Sequence, residues 1–429
     1  MVDKALDHPT KTKRTSNGSC TKQTTEQSKW SELPTDLLEL IFIKLLYIDA
    51  TRFRAVCPLW KNAVNFNSIP RNPWLMLPSS QENNVNSRRF FNPEDRSFYT
   101  MKNIFRTFRH PCCVGSSHGW LVLLDRKAVA HIFNPLTRVS IQLPEIGTLV
   151  GLPNSFDVEV NAVHKRYRDL NCKAVLSSDP SHNQNFVAAV IFKQQKSKLA
   201  FCKQGYKSWI ELSNDQRKHL WQYYSDVIFH NDDQLSAILH EGSHGLSVDI
   251  WYLNQTPSLM KTIMLQPQLM VGREYHGNFR RTYLVESLGE LLFVVRTIGN
   301  SYENKNFRYR TKDFYIFKMN RWNSQLEKVE CLHDRALFLG GNQSMSLSTR
   351  SFTEIKDNSI YFTDDHWSGM NLNYYYYHGT EEDGYIHYGG HDLGVYNLED
   401  RAVKPFDQID QEHIINPPPF WILPNPAVR

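Results

Sequence analysis

The chain has 429 residues, with 49 Lys plus Arg against 44 Asp plus Glu, 41% hydrophobic and 22% charged residues. That length exceeds one ordinary domain and that composition supports a sizeable packed core, so two units, or one large repetitive unit and a small one, are expected. The net charge of +5 is mild and scattered, which points away from nucleic acid as a partner.

The seven cysteines show no C-x-x-C pair and fit neither a disulfide framework nor a zinc ribbon, so they read as reduced thiols. Residues 1–29 set Lys4, Lys11, Lys13, Arg14, Lys22 and Lys29 against Asp3, Asp7 and Glu26 among Ser, Thr and Gln, the composition of a disordered tail. No apolar leader segment is present in it, so the Asn-x-Ser/Thr matches at Asn17, Asn254 and Asn342 carry no weight. The expected setting is nucleus and/or cytoplasm, and Lys11-Thr12-Lys13-Arg14 reads as a solvated cluster rather than an import signal.

The first periodic stretch is "LPTDLLELIFIKLL", residues 33–46. Pro34 stands ahead of a helix, Thr35 or Asp36 is placed to cap it, and Asp36 with Glu39 has capping-box spacing. Its apolar residues form two stripes, Leu37–Ile41–Leu45 and Leu38–Phe42–Leu46, with Leu40 and Ile43 widening the cover. The run has about half the roughly 20 residues that a membrane span needs, so a second protein surface, rather than lipid, is expected to take one stripe. Asp49 is placed to cap a second helix carrying Phe53, Val56 and Cys57, and Pro58 opens a third through Trp60 and Val64. Three such helices bury too little surface to be comfortably stable alone.

The joint pattern Leu33-Pro34, Leu37-Leu38, Ile41, Leu45, Asp49, Phe53, Val56-Cys57 and Trp60 resembles the F-box, over residues 30–68. The resemblance implies docking onto the Skp-type adaptor of a cullin-RING ubiquitin ligase through Leu33, Pro34, Leu37, Leu40, Ile41, Leu45, Val56, Cys57 and Trp60, with this chain selecting a protein substrate. Pro58 and Leu59 stand where basic residues are common in that family.

Residues 69–110 read as a linker and the entry to the second unit, and from about residue 110 the periodicity alternates. "RVSIQL" sets Val139, Ile141 and Leu143 on one face, following "AHIF" and the turn "NPLT". The grammar recurs in "VAAVIF", "LAFC", "DVIFH", "LSAILH", "LSVDIWYL", "TYLVES", "LLFVVR", "DFYIFKM", "SIYFTDD" and "LGVYNL". Short strands in threes and fours, without room for helical crossovers, predict an all-β propeller over residues 111–425 with an unfixed number of blades. The fold class is therefore a multidomain α+β chain: a small all-α three-helix module, then the propeller. "GSSHGWLVLLD", "IFNPLTR", "ALFLGGNQSMSL", "NSIYFTDD" and "PPPFWILP" together resemble the plant F-box family whose C-terminal half is a kelch-like propeller, the KIB type. The family implies a non-catalytic substrate receptor and leaves the substrate open. "WLML" at 74–77 and "FWIL" at 420–423 are both apolar and bounded by prolines, and are expected to meet where the ring closes.

Three patterns imitate chemistry. His240-Glu241-Gly242-Ser243-His244 matches the zinc-protease motif, but its glycines and flanking strands predict a turn, where the two imidazoles would not share a helix face. Gly115-Ser116-Ser117-His118-Gly119 matches a nucleophile elbow but is followed by a strand rather than a helix, so Ser117 reads as the start of a hairpin. Vicinal Cys112-Cys113 reads as packing rather than a redox pair. No catalytic residue, metal or cofactor is expected. A candidate substrate surface is the tyrosine- and glycine-rich stretch 368–392, with Tyr374, Tyr375, Tyr376 and Tyr377 and the acidic triplet Glu381, Glu382 and Asp383. Two other readings stay open: a propeller that sequesters a regulatory protein or reads a small ligand in its central channel without any ligase, and a propeller enzyme.

Overall fold

The computed structural model describes residues 30, 33–45, 47–65, 69–79, 86–108, 111–125, 129–146, 173–193, 197–213, 222–230, 234–241, 245–253, 257–265, 279–303, 306–320, 325–366, 389–411, 415 and 417–425. The chain separates into two compact units, Asp3–Arg71 and Asn72–Arg429, the second together with Met1–Val2.

The small unit holds helices α1 (Thr35–Phe42), α2 (Tyr47–Arg54) and α3 (Pro58–Asn62). Helix α1 starts one residue before the expected cap. Pro34 occupies the cap position, its carbonyl accepting from the Leu37 and Leu38 amides, and no side chain caps the end. Proline has no amide of its own to satisfy and its fixed φ sets the entry, so Thr35 and Asp36 fall inside the first turn. Asp49 likewise lies inside α2, paired with Arg52 at 3.0 Å, rather than capping it. Pro58 opens α3 as expected. Leu38, Phe42, Ala50, Phe53, Val64 and Ile69 form the core, and the Phe53 ring lies 4.3 Å from Trp60 and 5.4 Å from Phe42.

Among the described residues the large unit is six sheets around a ring, a six-bladed β-propeller. Blade 1 is Trp74–Leu77, Arg88–Asn92 and Ser97–Met101, joined by Phe420–Ile422 from the far end of the chain. The segment read as linker and entry, residues 69–110, thus supplies three strands of this blade, and the propeller starts before residue 111. Blade 2 is Cys112–Ser117, Trp120–Leu124, Val129–Phe133 and Ser140–Glu145; blade 3 is Lys173–Leu176, Val187–Lys193, Ser197–Lys203 and Ile210–Leu212. Blade 4 is Gln222–Phe229, Gln234–Glu241, Leu246–Tyr252 and Ser258–Leu265; blade 5 is Phe279–Ser287, Glu290–Glu303, Asn306–Met319 and Leu326–Val329. Blade 6 has five strands: Arg335–Leu339, Met345–Ser348, Ser359–Phe362, Gly394–Asn397 and Ala402–Lys404.

Neighbouring blades pack face to face, which is why strands such as "VAAVIF" are apolar on both sides: Ala188, Val190 and Phe192 face one cluster and Val187, Ala189 and Ile191 the next. The "NPLT" turn is held by Asn134, whose Oδ1 accepts from the Leu136 and Thr137 amides. Leu143 is buried, with Val139 and Ile141 packed beside it, on the face that the alternation assigns.

Blade 6 departs from a simple meander. Arg335–Leu339 is antiparallel to Met345–Ser348 but parallel to Ser359–Phe362. The turn through Gly340 and Gly341 carries the chain to blade 2, where the Gln343 amide donates to Ser116 O at 2.9 Å, while Lys173 Nζ of blade 3 donates to Gly340 O at 3.4 Å. Glycine is required there. Gly340 has φ +153°, and a Cβ would come within 2.0 Å of Thr363 Oγ1; one on Gly341 would lie 2.7 Å from the Phe420 ring.

Candidate functional site

Helix α1 divides its apolar residues as two stripes. Leu38 and Phe42 are 0% and 1% exposed, whereas Leu37, Leu40 and Ile41 are 47%, 54% and 39% exposed. Ile43, Val56 and Leu59 of the same unit are also exposed, as is Trp30, whose carbonyl accepts from Trp60 Nε1 at 3.2 Å. So much apolar side chain in the open is unusual for so small a unit. Of the nine residues expected on this face, Pro34, Leu37, Leu40, Ile41 and Val56 are exposed, while Leu33, Leu45 and Trp60 pack partly against the helical core and Cys57 is half-buried. Leu45 leaves its stripe because α1 stops at Phe42 and the chain turns before the third repeat. Trp30, Ile43 and Leu59 extend the face beyond those nine. Leu59 in particular turns the Pro58-Leu59 departure into added apolar surface.

In the large unit, Tyr374, Tyr375, Tyr376, Tyr377, Glu381, Glu382 and Asp383 lie outside the described residues, as do Gly242, Ser243 and His244. His240 and Glu241 end a strand rather than sit on a helix, so the zinc-protease geometry is not formed by them. Among the described residues no group of His, Cys, Asp and Glu is arranged to hold a metal. No helix there is long and apolar enough to cross a membrane. Ser117 ends the first strand of a hairpin and is buried; its hydroxyl bonds to Leu176 and Gln343, and none of these bonds goes to a histidine. Burial pushes the Cys113 thiol up to about 12, which suits packing rather than redox exchange.

Sequence reasoning missed a buried polar centre at the junction of blades 5 and 6. Arg296, 0% exposed, donates Nη1 to Thr363 O at 2.8 Å, Asp365 Oδ1 at 3.2 Å and Tyr283 Oη at 3.2 Å. Its Nη2 donates to Asp392 Oδ2 at 2.8 Å and its Nε to Thr311 Oγ1 at 2.7 Å. Asp392 in turn accepts from the Thr311 amide at 3.0 Å, and Tyr309 donates to Asp364 at 2.7 Å. Burial raises Asp365, but Arg281 and Arg296 more than reverse this and hold its carboxyl below the usual range. Burial first, then Asp392, pushes Asp364 up to about 6. Burial and the Arg281 charge bring His366 and His240 down to about 4, so both rings are neutral at physiological pH. The centre ties Asp364, Asp365, His391 and Asp392 to the long strands of blade 5 and so fixes the positions where the chain leaves blade 6 and returns to it.

The chain matches the family described as KIB1-4 beta-propeller over residues 90–397 and the F-box domain over residues 30–72. It belongs to the KIB1-4 β-propeller family. An F-box protein of Arabidopsis thaliana is 27% identical over 80% of this chain and 86% of its own length. The F-box/kelch-repeat protein KIB1 of the same plant is 25% identical over 85% of each chain. Among solved structures, the N-terminal domain of Nup159 aligns over 69% of this chain and 68% of its own at a TM-score of 0.31 and 11% identity, too remote to bear on function.

Proposed function

We propose that this chain is the substrate receptor of a Skp-cullin-RING ubiquitin ligase acting in the nucleus and/or cytoplasm. The small unit docks on the Skp-type adaptor, and the propeller holds a protein target near a ubiquitin-loaded enzyme carried elsewhere in the assembly. Catalysis by proximity asks no acid, base or nucleophile of this chain. The observation that carries the reading is the open stripe Leu37, Leu40 and Ile41, with Val56 and Leu59 of the same unit also exposed. A propeller working alone would have no use for that apolar face. Support for target binding by the propeller comes from the fixed stem at blades 5 and 6, since rigid scaffolds bearing variable connections are the usual recognition device.

The test is affinity capture from cells treated with proteasome and neddylation inhibitors, comparing the full chain with one lacking residues 30–68. Skp-type adaptor and cullin are expected with the full chain alone, and target proteins with both. A well-folded full chain that retains targets but no adaptor would instead favour a ligase-independent binding protein.

A further inference from the structure

We infer that the surface around Arg281 and His366, where blades 4, 5 and 6 adjoin, is a binding site for a carboxylate group. Two arginines of blade 5 make the contrast. Arg296 has its guanidinium engaged on every nitrogen. Arg281 has one hydrogen-bonded partner, Asp365 Oδ2 at 3.3 Å, long for a charge-assisted bond, with the Asp226 charge also near, and its buried Nε–H has no acceptor. The adjoining His366 is 3% exposed, lies 4.7 Å from the Phe279 ring and 5.0 Å from that of Tyr309, and has neither ring nitrogen hydrogen-bonded. A neutral imidazole carries one N–H, so two buried donors at this place lack an acceptor. Buried donors are nearly always paired, so these two call for an acceptor that the described residues do not supply.

A carboxylate supplies what is missing: two acceptor oxygens in one plane, with the negative charge that a guanidinium fork favours. Asp365 already offsets part of the Arg281 charge, which suits a monoanion better than a phosphate. The way in is along Arg281, whose side chain is 24% exposed. Beside it Tyr223, 47% exposed, stacks on His240 at 4.4 Å and 5°, giving an amphipathic wall next to the fork. His240 is held by Ser225 at 2.9 Å, and Ser225 by Thr282 at 3.0 Å, so the wall is fixed to the strand that carries Arg281. The carboxylate has two possible sources, an acidic side chain of a partner protein or a free small acid, and the chemistry is the same for both.

The experiment uses the full chain with labelled histidines, following the His366 imidazole resonances by NMR. Acetate is titrated against its neutral isostere acetamide. Saturable displacement by acetate and none by acetamide is expected, and Arg281→Gln should weaken the acetate response by roughly ten-fold or more, the loss of a charge-assisted pair. No response to acetate, or an equal response to acetamide, would overturn the site; both are read on the unaltered protein, so the site is refutable even where the variant fails to fold. A second arm compares capped triglutamate with capped triglutamine. Saturation by triglutamate below the acetate range assigns the site to a protein segment, and response to acetate alone assigns it to a free acid. Adaptor capture reads the other unit, so its failure and the failure of this site are separate results.

Discussion

Leu75 lies opposite Trp421 in antiparallel register, so the strand that begins the propeller is sealed by one from the end of the chain. Trp421 is 0% exposed and packs edge-on against Phe338 of blade 6 at 5.1 Å. Beyond it Asn425 donates to His118 O at 3.0 Å and to Asp179 at 2.6 Å and accepts from Asn134 at 2.8 Å, which latches the end of the chain to blades 2 and 3. Truncation after Pro417 removes the strand and the latch together. The whole ring, rather than one blade, is expected to lose stability; Trp421→Ala alone should cost ~3–5 kcal/mol. An unchanged melting temperature on truncation would show that the ring closes without this strand.

Arg296→Met is expected to destabilise the propeller by ~3–5 kcal/mol in urea unfolding, because Asp392 is left buried without its cation and Asp365 keeps only Arg281. A double variant that also replaces Asp392 with Asn should recover part of that loss. If the two changes simply add, Arg296 and Asp392 are not coupled.

His366 gives the stability a pH dependence of definite sign. Its folded value, about 4, lies below the unfolded 6.5, so its contribution is complete above pH 6.5 and is lost as pH falls toward 4. At about 1.4 kcal/mol per pH unit the full loss is ~3 kcal/mol. His240 acts in the same direction. Asp364 opposes them: raised from 3.8 to about 6, it contributes below pH 3.8 and that contribution is lost as pH rises through 6. His366→Phe keeps a ring beside Phe279 and Tyr309 and should flatten the profile between pH 6.5 and 4. An identical slope in variant and parent would show that His366 does not titrate on unfolding.

Much of this fold is legible in the residues. Leu38 and Phe42 against Leu37 and Ile41 is a period that any helix would split into a buried and an open stripe. The paired apolar runs at 74–77 and 420–423 announce ring closure for the same elementary reason: each needs cover that its neighbours in sequence do not supply. The number of blades was not legible because the repeats share little beyond alternation, and blade 6 breaks even that with a parallel pair. The polar centre was hidden for another reason. Arg296 meets Asp365 and Asp392 across 69 and 96 residues, a distance that no local motif spans and that only the closed ring brings together. At the small unit, the apolar pattern foretold an open face, but the turn after Phe42 decided that Leu45 would face inward.

The measurement that bears most directly on the receptor reading is binding of the purified chain to a purified Skp-type adaptor, with Leu37, Leu40 and Ile41 replaced together by alanine. These side chains are exposed in the chain by itself, so the replacement should leave its melting temperature nearly unchanged. Each large aliphatic side chain buried on docking contributes about 1.5–3 kcal/mol, so affinity should fall by orders of magnitude. A folded triple variant that holds the adaptor as tightly as the parent chain would contradict the assignment of this face.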